Sequence, residues 1–287
     1  MSFVRRKIEL TFQIGEGTFG ETNFNTVTVS GLRVKSVITK AGGASMGEAQ
    51  LRVYGLTLSL MNQLSALNRA NMVIRRNRLI IAAGDDEAGM STVFDGQIAL
   101  GQIDMSGMPD SALVVIAYAG LLDAVQPVAP ASYPATVDAA VVMANLAKQM
   151  GYSFENNGVS VILATPYFQG TARDQAMRCA DAANINWVID NGVLAIWPKY
   201  GTRGGTVPLI SPDTGMVGYP SYSEVGISVT TLFNPFINYG ETVEVKSSLE
   251  FANGRWNVFN ISHELESELP DGIWFTKFTG SPINVAA

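Results

Sequence analysis

Side chains able to do chemistry are few in this sequence, and they stand apart from one another. The only histidine lies in Asn260-Ile261-Ser262-His263-Glu264-Leu265-Glu266, an alternating run that puts His263 and Leu265 on one strand face. A general base needs a positioned nucleophile beside it. The only cysteine, Cys179, falls in a helical pattern, and no Gly-x-Ser-x-Gly elbow occurs. His263 is therefore expected to be a hydrogen-bonded structural histidine, and Cys179 a small buried apolar residue. Two carboxylate groups stand out, Asp85-Asp86-Glu87 and the alternating Glu264, Glu266 and Glu268. Glycoside hydrolysis needs two carboxyls about 5–10 Å apart across a cleft, one with a raised pKa. The first group reads as a turn and the second as a solvated strand face. Asp181, Asp190 and Asp213 lack calcium-loop spacing, and one histidine with one cysteine cannot build a zinc site. Gly15-Glu16-Gly17-Thr18-Phe19-Gly20 matches the dinucleotide-loop pattern in form. No helix pattern opens after it to face a pyrophosphate, so it reads as a hairpin loop. No catalytic residue, metal or cofactor is expected.

The elements that hold these residues are mostly strands. Lys7–Phe12, Asn25–Val29 and Arg33–Ile38 alternate with period two, separated by glycine-rich breaks. Ala49–Tyr54 reads as a strand leading to a short helix capped by Thr57 and carrying Leu60, Met61, Leu64 and Leu67. One continuous helix from a capping box at Ser45 and Glu48 is the alternative, which Gly55 disfavours by about 1 kcal/mol. Further strands are expected at Met72–Ile74, Arg78–Ala82, Thr92–Leu100 and Ser111–Tyr118, a density that suggests a sandwich or barrel.

Pro127, Pro130 and Pro134 mark a stiff linker. Two helices follow. One is capped at Thr136, carries Val142, Leu146 and Met150 on one stripe and stops at Gly151. The other opens with the Thr171/Asp174 capping box and ends near Asn184. Val159–Leu163, Asn186–Ile189 and Val193–Trp197 read as strands, the last two joined by a turn at Asp190-Asn191-Gly192. Gly226–Leu232, Glu241–Leu249, Arg255–Glu264 and Ile273–Thr279 return to strand, with Asn253-Gly254 as a hairpin signal. The fold class is thus mainly β with an α+β middle, divided as 1–125, 126–205 and 206–287.

Composition narrows the function classes. The chain has 287 residues, 47% hydrophobic and only 15% charged, with net charge −6 and mean hydropathy +0.17. So little charge over so much apolar content suggests partner-facing surface. Phosphate-driven nucleic-acid binding is not expected. Neither a signal peptide nor a membrane span is read in the sequence, so no membrane insertion is expected.

Leu209–Pro220 concentrates turn formers, with Pro212, Gly215, Gly218 and Pro220 inside a dozen residues; Asn234-Pro235 and Gly240 follow downstream. Glycines there permit positive φ and prolines fix direction, as expected of a shaped crossing into the last β region rather than a catalytic loop. The segment Val207–Pro220, then Gly226-Ile227-Ser228-Val229 and Leu232-Phe233-Asn234-Pro235, resembles the C-terminal part of baseplate or tail hub proteins of contractile-tailed phages. Trp256–Ile261, His263 and Trp274-Phe275 fit the same pattern. Upstream, Ala49–Leu67 is similar to that family's strand, connection and helix, although Gly55-Leu56-Thr57 stands where an Asn-Leu-Ser connection is usual. Thr92–Ile98 is like its Phe-x-Gly-x-Ile strand.

The resemblance implies two tail-tube-like β-barrel or sandwich domains flanking a small α+β domain, in a structural protein that is not an enzyme. It implies a homotrimer, a pseudo-sixfold ring joining the tail tube or a distal tube protein to a central spike protein, with other baseplate proteins around it. DNA would cross only as transiting cargo, and the protein would sit in the virion baseplate after assembly in the host bacterial cytoplasm. A cell-wall hydrolase, a carbohydrate-binding module built on Tyr219, Tyr222 and Tyr239, and the hub of a phage-derived injection device are the alternatives.

Overall fold

The structure, a computed structural model, describes residues 4–15, 17–19, 24–65, 77–223 and 225–283. Its elements in chain order are β1 (Arg6–Gln13), β2 (Thr26–Val29), β3 (Val34–Lys40), β4 (Glu48–Tyr54), α1 (Leu58–Ser65), β5 (Arg78–Asp85), β6 (Gly89–Asp104) and β7 (Ala112–Tyr118). Then come α2 (Leu121–Val125), β8 (Ala131–Ser132), β9 (Val137–Asp138), α3 (Ala139–Met150), β10 (Ser153–Asn156), β11 (Ile162–Leu163), β12 (Tyr167–Phe168) and α4 (Ala172–Ala183). The last are β13 (Ile185–Asp190), β14 (Val193–Pro198), β15 (Leu209–Ile210), β16 (Ser221–Ser223), β17 (Gly226–Leu232), β18 (Thr242–Val245), β19 (Gly254–Ser267) and β20 (Trp274–Pro282). The protein is mainly β. The expected strand Met72–Ile74 lies outside the described residues, as do Leu67 of the first helix stripe and Glu16 and Gly20 of the glycine loop.

The chain forms two compact units that are interleaved along the sequence. The first takes Met1–Thr39, Glu48–Ala119 and Ser262–Phe275; the second takes Lys40–Gly47, Gly120–Ile261 and Thr276–Ala287. Long strands explain this, since β19 and β20 each give residues to both. In the first unit the strands run β19, β3, β4, β7, β6, β5, β1, β2, antiparallel where the register is given. Period-two alternation places Ile8, Leu10 and Phe12 of β1 in the core and Lys7, Glu9 and Thr11 outside. Thr57 caps α1 as expected, its Oγ1 accepting from Leu60 N at 3.3 Å, and Met61 and Leu64 are buried. No closed barrel is found: among the described residues the strand order of this unit is open, with β2 at its end.

The second unit has a helical part and a strand part. In the helical part α3 and α4 pack Val142, Met143, Leu146, Ala176 and Cys179 against Trp187, Ile189, Leu194 and Ile196 of the β13–β14 hairpin. Each fully buried large side chain contributes about 1.5–3 kcal/mol to this core. The hairpin turn is as expected, with Asn191 and Gly192 at φ 48° and 76°. The Thr171/Asp174 capping box and the left-handed Asn184 bound α4, and Gly151 stops α3. The expected cap at Thr136 is displaced to Asp138, which accepts from Ala140 N at 2.8 Å; Val137 and Asp138 are spent pairing with β11 instead. In the strand part the order is β16, β17, β20, β19, β18, β15 around Ile210, Ile227, Val229, Ile237, Val243, Val258 and Phe278. Asn253-Gly254 does not make a two-residue turn. Val245 pairs with Gly254, so the loop spans 246–253, closed by Asn253 Oδ1 accepting from Ser247 N at 2.6 Å.

Candidate functional site

The turn-rich segment is a hydrogen-bonded knot inside the second unit. Leu209 and Ile210 pair in parallel with Glu244 and Val245, and Pro212 opens a 3₁₀ turn over Pro212–Thr214. Thr214 Oγ1 donates to Leu209 O at 2.7 Å and accepts from Ser211 N at 2.8 Å, tying the turn to its own entry strand. Gly215 sits at φ 105°, and a Cβ there would lie 3.3 Å from Leu232 Cβ. Its carbonyl accepts from Leu232 N at 2.8 Å and Thr231 Oγ1 at 2.9 Å. Gly218 is also left-handed but faces open space, and Pro220 is buried. Asn234 and Pro235 form a separate turn: Asn234 Oδ1 accepts from Phe236 N at 3.0 Å, while Asn234 N donates to the buried Thr276 Oγ1 at 3.0 Å. All six motif residues lie within the second unit.

The residues with chemical potential are dispersed. His263 is fully buried beside Leu265 on the core face of β19. Glu266 pairs with Lys35 at 2.8 Å, and that hydrogen bond holds its carboxyl below the usual range. Glu268 pairs with Arg5 at 2.6 Å. Glu266, held so, does not meet the need for a carboxyl raised to act as an acid. Asp85 closes the β5–β6 turn by accepting from Glu87 N and Ala88 N, and Asp86 pairs with Lys7. Burial drives the Cys179 thiol up to about 12, which removes it as a nucleophile at neutral pH. Tyr219 and Tyr222 are exposed while Tyr239 is partly buried against the core of the strand part, so the three tyrosines form no common platform.

What the structure does bring together is a set of charges in the second unit around residues 40–47, Lys40 and Arg173 buried and the others half-buried. Lys40, 4% exposed, donates to Asp190 Oδ2 at 2.9 Å and Asn238 Oδ1 at 3.2 Å. Asn238 passes a hydrogen bond to Glu241 Oε2 at 3.2 Å. Arg203 makes a two-point contact with Glu155, at 3.0 and 2.6 Å. Arg173 reaches the other end of the segment, donating to Gly43 O at 2.9 Å and Ser45 O at 2.8 Å with its guanidinium 4.9 Å from the Trp187 ring centroid. Gly43 N donates to Trp187 O at 2.8 Å. Gly42 and Gly240 admit the aromatic pair Tyr239 and Trp197, since a Cβ at either glycine would run into a ring carbon. Sequence reasoning missed this set. Lys40, Asp190 and Arg203 are isolated charges in the chain, and only the fold converges them.

Residues 7–277 match the family model of the baseplate hub gp41. The chain belongs to this baseplate hub family. Solved structures agree in fold over most of the length. The tail protein from Neisseria meningitidis MC58 superposes with TM-score 0.61 at 9% identity, covering 96% of each chain. The 43 kDa tail protein of prophage MuSo2 from Shewanella oneidensis gives 0.58 at 12% identity over 96% of this chain and 97% of that one. The E. coli c3393 protein, described as a type VI secretion component similar to T4 tail proteins gp27 and gp5, gives 0.58 at 11% identity over 88% and 74%. No curated protein sequence matches the chain. As a baseplate hub family member the chain is a structural component of a phage tail.

The Lys40 end of the charge set can be tested by substitution. Lys40→Met strands Asp190 in a dry site and should destabilise the protein by about 3–5 kcal/mol in denaturant unfolding, whereas Lys40→Met with Asp190→Leu should recover most of that loss. Burial raises the Glu241 carboxyl above its usual range, with Asn238 and Arg203 opposing. Its folded pKa therefore exceeds the unfolded one, and its favourable contribution, full below the unfolded value, is lost as pH rises through the folded value. Glu241→Gln should give a higher thermal midpoint than wild type at pH 7.5, the gap closing as pH falls to about 5.

Proposed function

We propose that the chain is the structural hub of a contractile phage tail, a homotrimer whose pseudo-sixfold ring joins the tail tube, or a distal tube protein, to a central spike protein. The observation that carries this reading is the family match over 7–277, supported by chain-length likeness to a tail protein and a prophage tail protein. In this reading residues 1–125 and 206–287 are the two tail-tube-like parts and 126–205 the α+β part between them. Pro212, Gly215, Gly218, Pro220, Asn234 and Pro235 shape the passage from the α+β part into the last β part. Other baseplate proteins surround the ring, DNA crosses it as cargo, and the ring is assembled in the host bacterial cytoplasm and works in the virion.

The likeness to the type VI component favours a second reading, the hub of a phage-derived injection device; the two share a ring that docks a tube above and a spike below. A cell-wall hydrolase has no comparable support, since Glu266 and Glu268 are held by Lys35 and Arg5.

Light scattering on the purified chain of 30.7 kDa, alone and mixed with its tube and spike proteins, should give a threefold mass, alone or on adding spike. A monomer indifferent to both partners would overturn the hub reading. Peptidoglycan dye release by the same sample should stay at the buffer rate.

A further inference from the structure

The side chains around Lys40 stand in an order that a plain ion pair does not need. A buried ammonium calls for a carboxylate, and Asp190 Oδ2 supplies one at 2.9 Å. Lys40 Nζ also donates to Asn238 Oδ1 at 3.2 Å, and at the other end of that carboxamide Asn238 Nδ2 donates to Glu241 Oε2 at 3.2 Å. The carboxamide is thus bracketed, with an amine at its oxygen and a carboxyl at its nitrogen.

All four residues belong to the second unit, and their setting shields them from water. The side chains of Lys40 and Asp190 are 4% and 13% exposed, and Asn238 and Glu241 are half-buried. Gly205 closes over Glu241, since a Cβ there would lie 3.2 Å from Oε1. Tyr239, next in the chain to Asn238, occupies the space at Gly42 and meets Trp197 edge-on. Burial raises the Glu241 carboxyl above its usual range, so it holds a proton more readily than an exposed glutamate, and Lys40 is near enough for its charge to act on it.

We infer that Lys40 and Asn238 join in an isopeptide bond that the chain forms on itself, with Asp190 as the base that frees the amine and Glu241 as the catalytic residue that moves protons between the two nitrogens. Amine and carboxamide are held side by side, which turns a slow bimolecular aminolysis into a step within one molecule. The nucleophile, its base and the acid at the leaving group are each within hydrogen-bond reach of the next.

The atoms balance without an oxidant or cofactor. The ammonium of Lys40 gives one proton to Asp190 Oδ2. The freed electron pair on Nζ forms a bond to Cγ of Asn238, and the carbonyl π pair moves to Oδ1. Glu241 gives its proton to the departing nitrogen and takes one from the attacking nitrogen. As the pair on Oδ1 returns, the Cγ–Nδ2 bond breaks and one ammonia leaves, carrying the proton from Asp190 as ammonium. Glu241 ends protonated, as it began. The reaction happens once per chain, so it does not make the protein an enzyme. It fastens the 40–47 segment to the strand part of the unit by a covalent bond, and it does not depend on the hub reading.

High-resolution mass spectrometry of the purified full chain, incubated at neutral pH and then digested with trypsin, tests this. The intact chain should be lighter by one ammonia. Peptide 36–52, uncut at Lys40, should be joined to peptide 204–246 through Lys40 and Asn238. Lys40→Met and Asn238→Ala should keep their full mass. Glu241→Gln retains both reacting side chains; with folding checked by circular dichroism, it should stay at full mass over a time in which the wild type reacts completely, which a merely structural role of Glu241 would not produce. In the unlinked chain Glu241→Gln raises the thermal midpoint at pH 7.5, whereas linkage raises that of the wild type alone by constraining its unfolded state. A wild-type chain that keeps its full mass would overturn the proposal. So would an ammonia loss mapped to Asn157, Asn191 or Asn253, where a following glycine favours a succinimide, or a water loss joining Lys40 to Asp190. Linkage of Glu241→Gln at the wild-type rate would overturn the role of Glu241.

Discussion

Two buried cations, Lys40 and Arg173, hold the segment Lys40–Gly47, and much of the second unit is arranged to receive them. A buried ammonium or guanidinium is tolerated only when its hydrogen bonds are met within the protein. Asp190 and Asn238 meet those of Lys40, and the carbonyls of Gly43 and Ser45 meet those of Arg173. These demands reach back into the sequence. Asp190 must end β13, Trp187 must present both a ring face and a carbonyl, and α4 must start at Thr171 so that Arg173 in its first turn points at the segment. Gly42 and Gly240 follow from the same packing, because no side chain fits where Tyr239 and Trp197 lie.

Such a structure puts its ionisable groups to work as fasteners. Glu155, Glu266 and Glu268 are engaged by Arg203, Lys35 and Arg5, and Asp123 accepts from Tyr152 at 2.7 Å in a setting whose burial raises its carboxyl. Directional hydrogen bonds fix the register of the elements they join more narrowly than apolar packing alone, which tolerates sliding.

Much of this was legible in the chain, and what was not has a common cause. Period-two alternation located β1, β2 and β3; the Thr171/Asp174 box and Gly151 located the helix ends; Asn191-Gly192 located a hairpin. These signals are local, set by side-chain alternation and by which residues tolerate positive φ. Asp138 displaced Thr136 as a cap because of pairing with a strand more than twenty residues away. The open strand order and the sharing of β19 and β20 between units likewise depend on long-range pairing, as does the convergence of Lys40, Asp190, Asn238 and Arg203. The turn at Gly215 was readable from its residues, but its partner Leu232 was not.

Residues 40–47 are fastened to the second unit at both ends, by Lys40 and by Arg173, rather than lying loosely on it. Native-state hydrogen exchange at the Gly43 amide, which donates to Trp187 O at 2.8 Å, measures this most directly. Protection equal to that of the β13–β14 amides, reached only on global opening of the unit, is the predicted result. Exchange at the rate of an exposed loop would contradict the account.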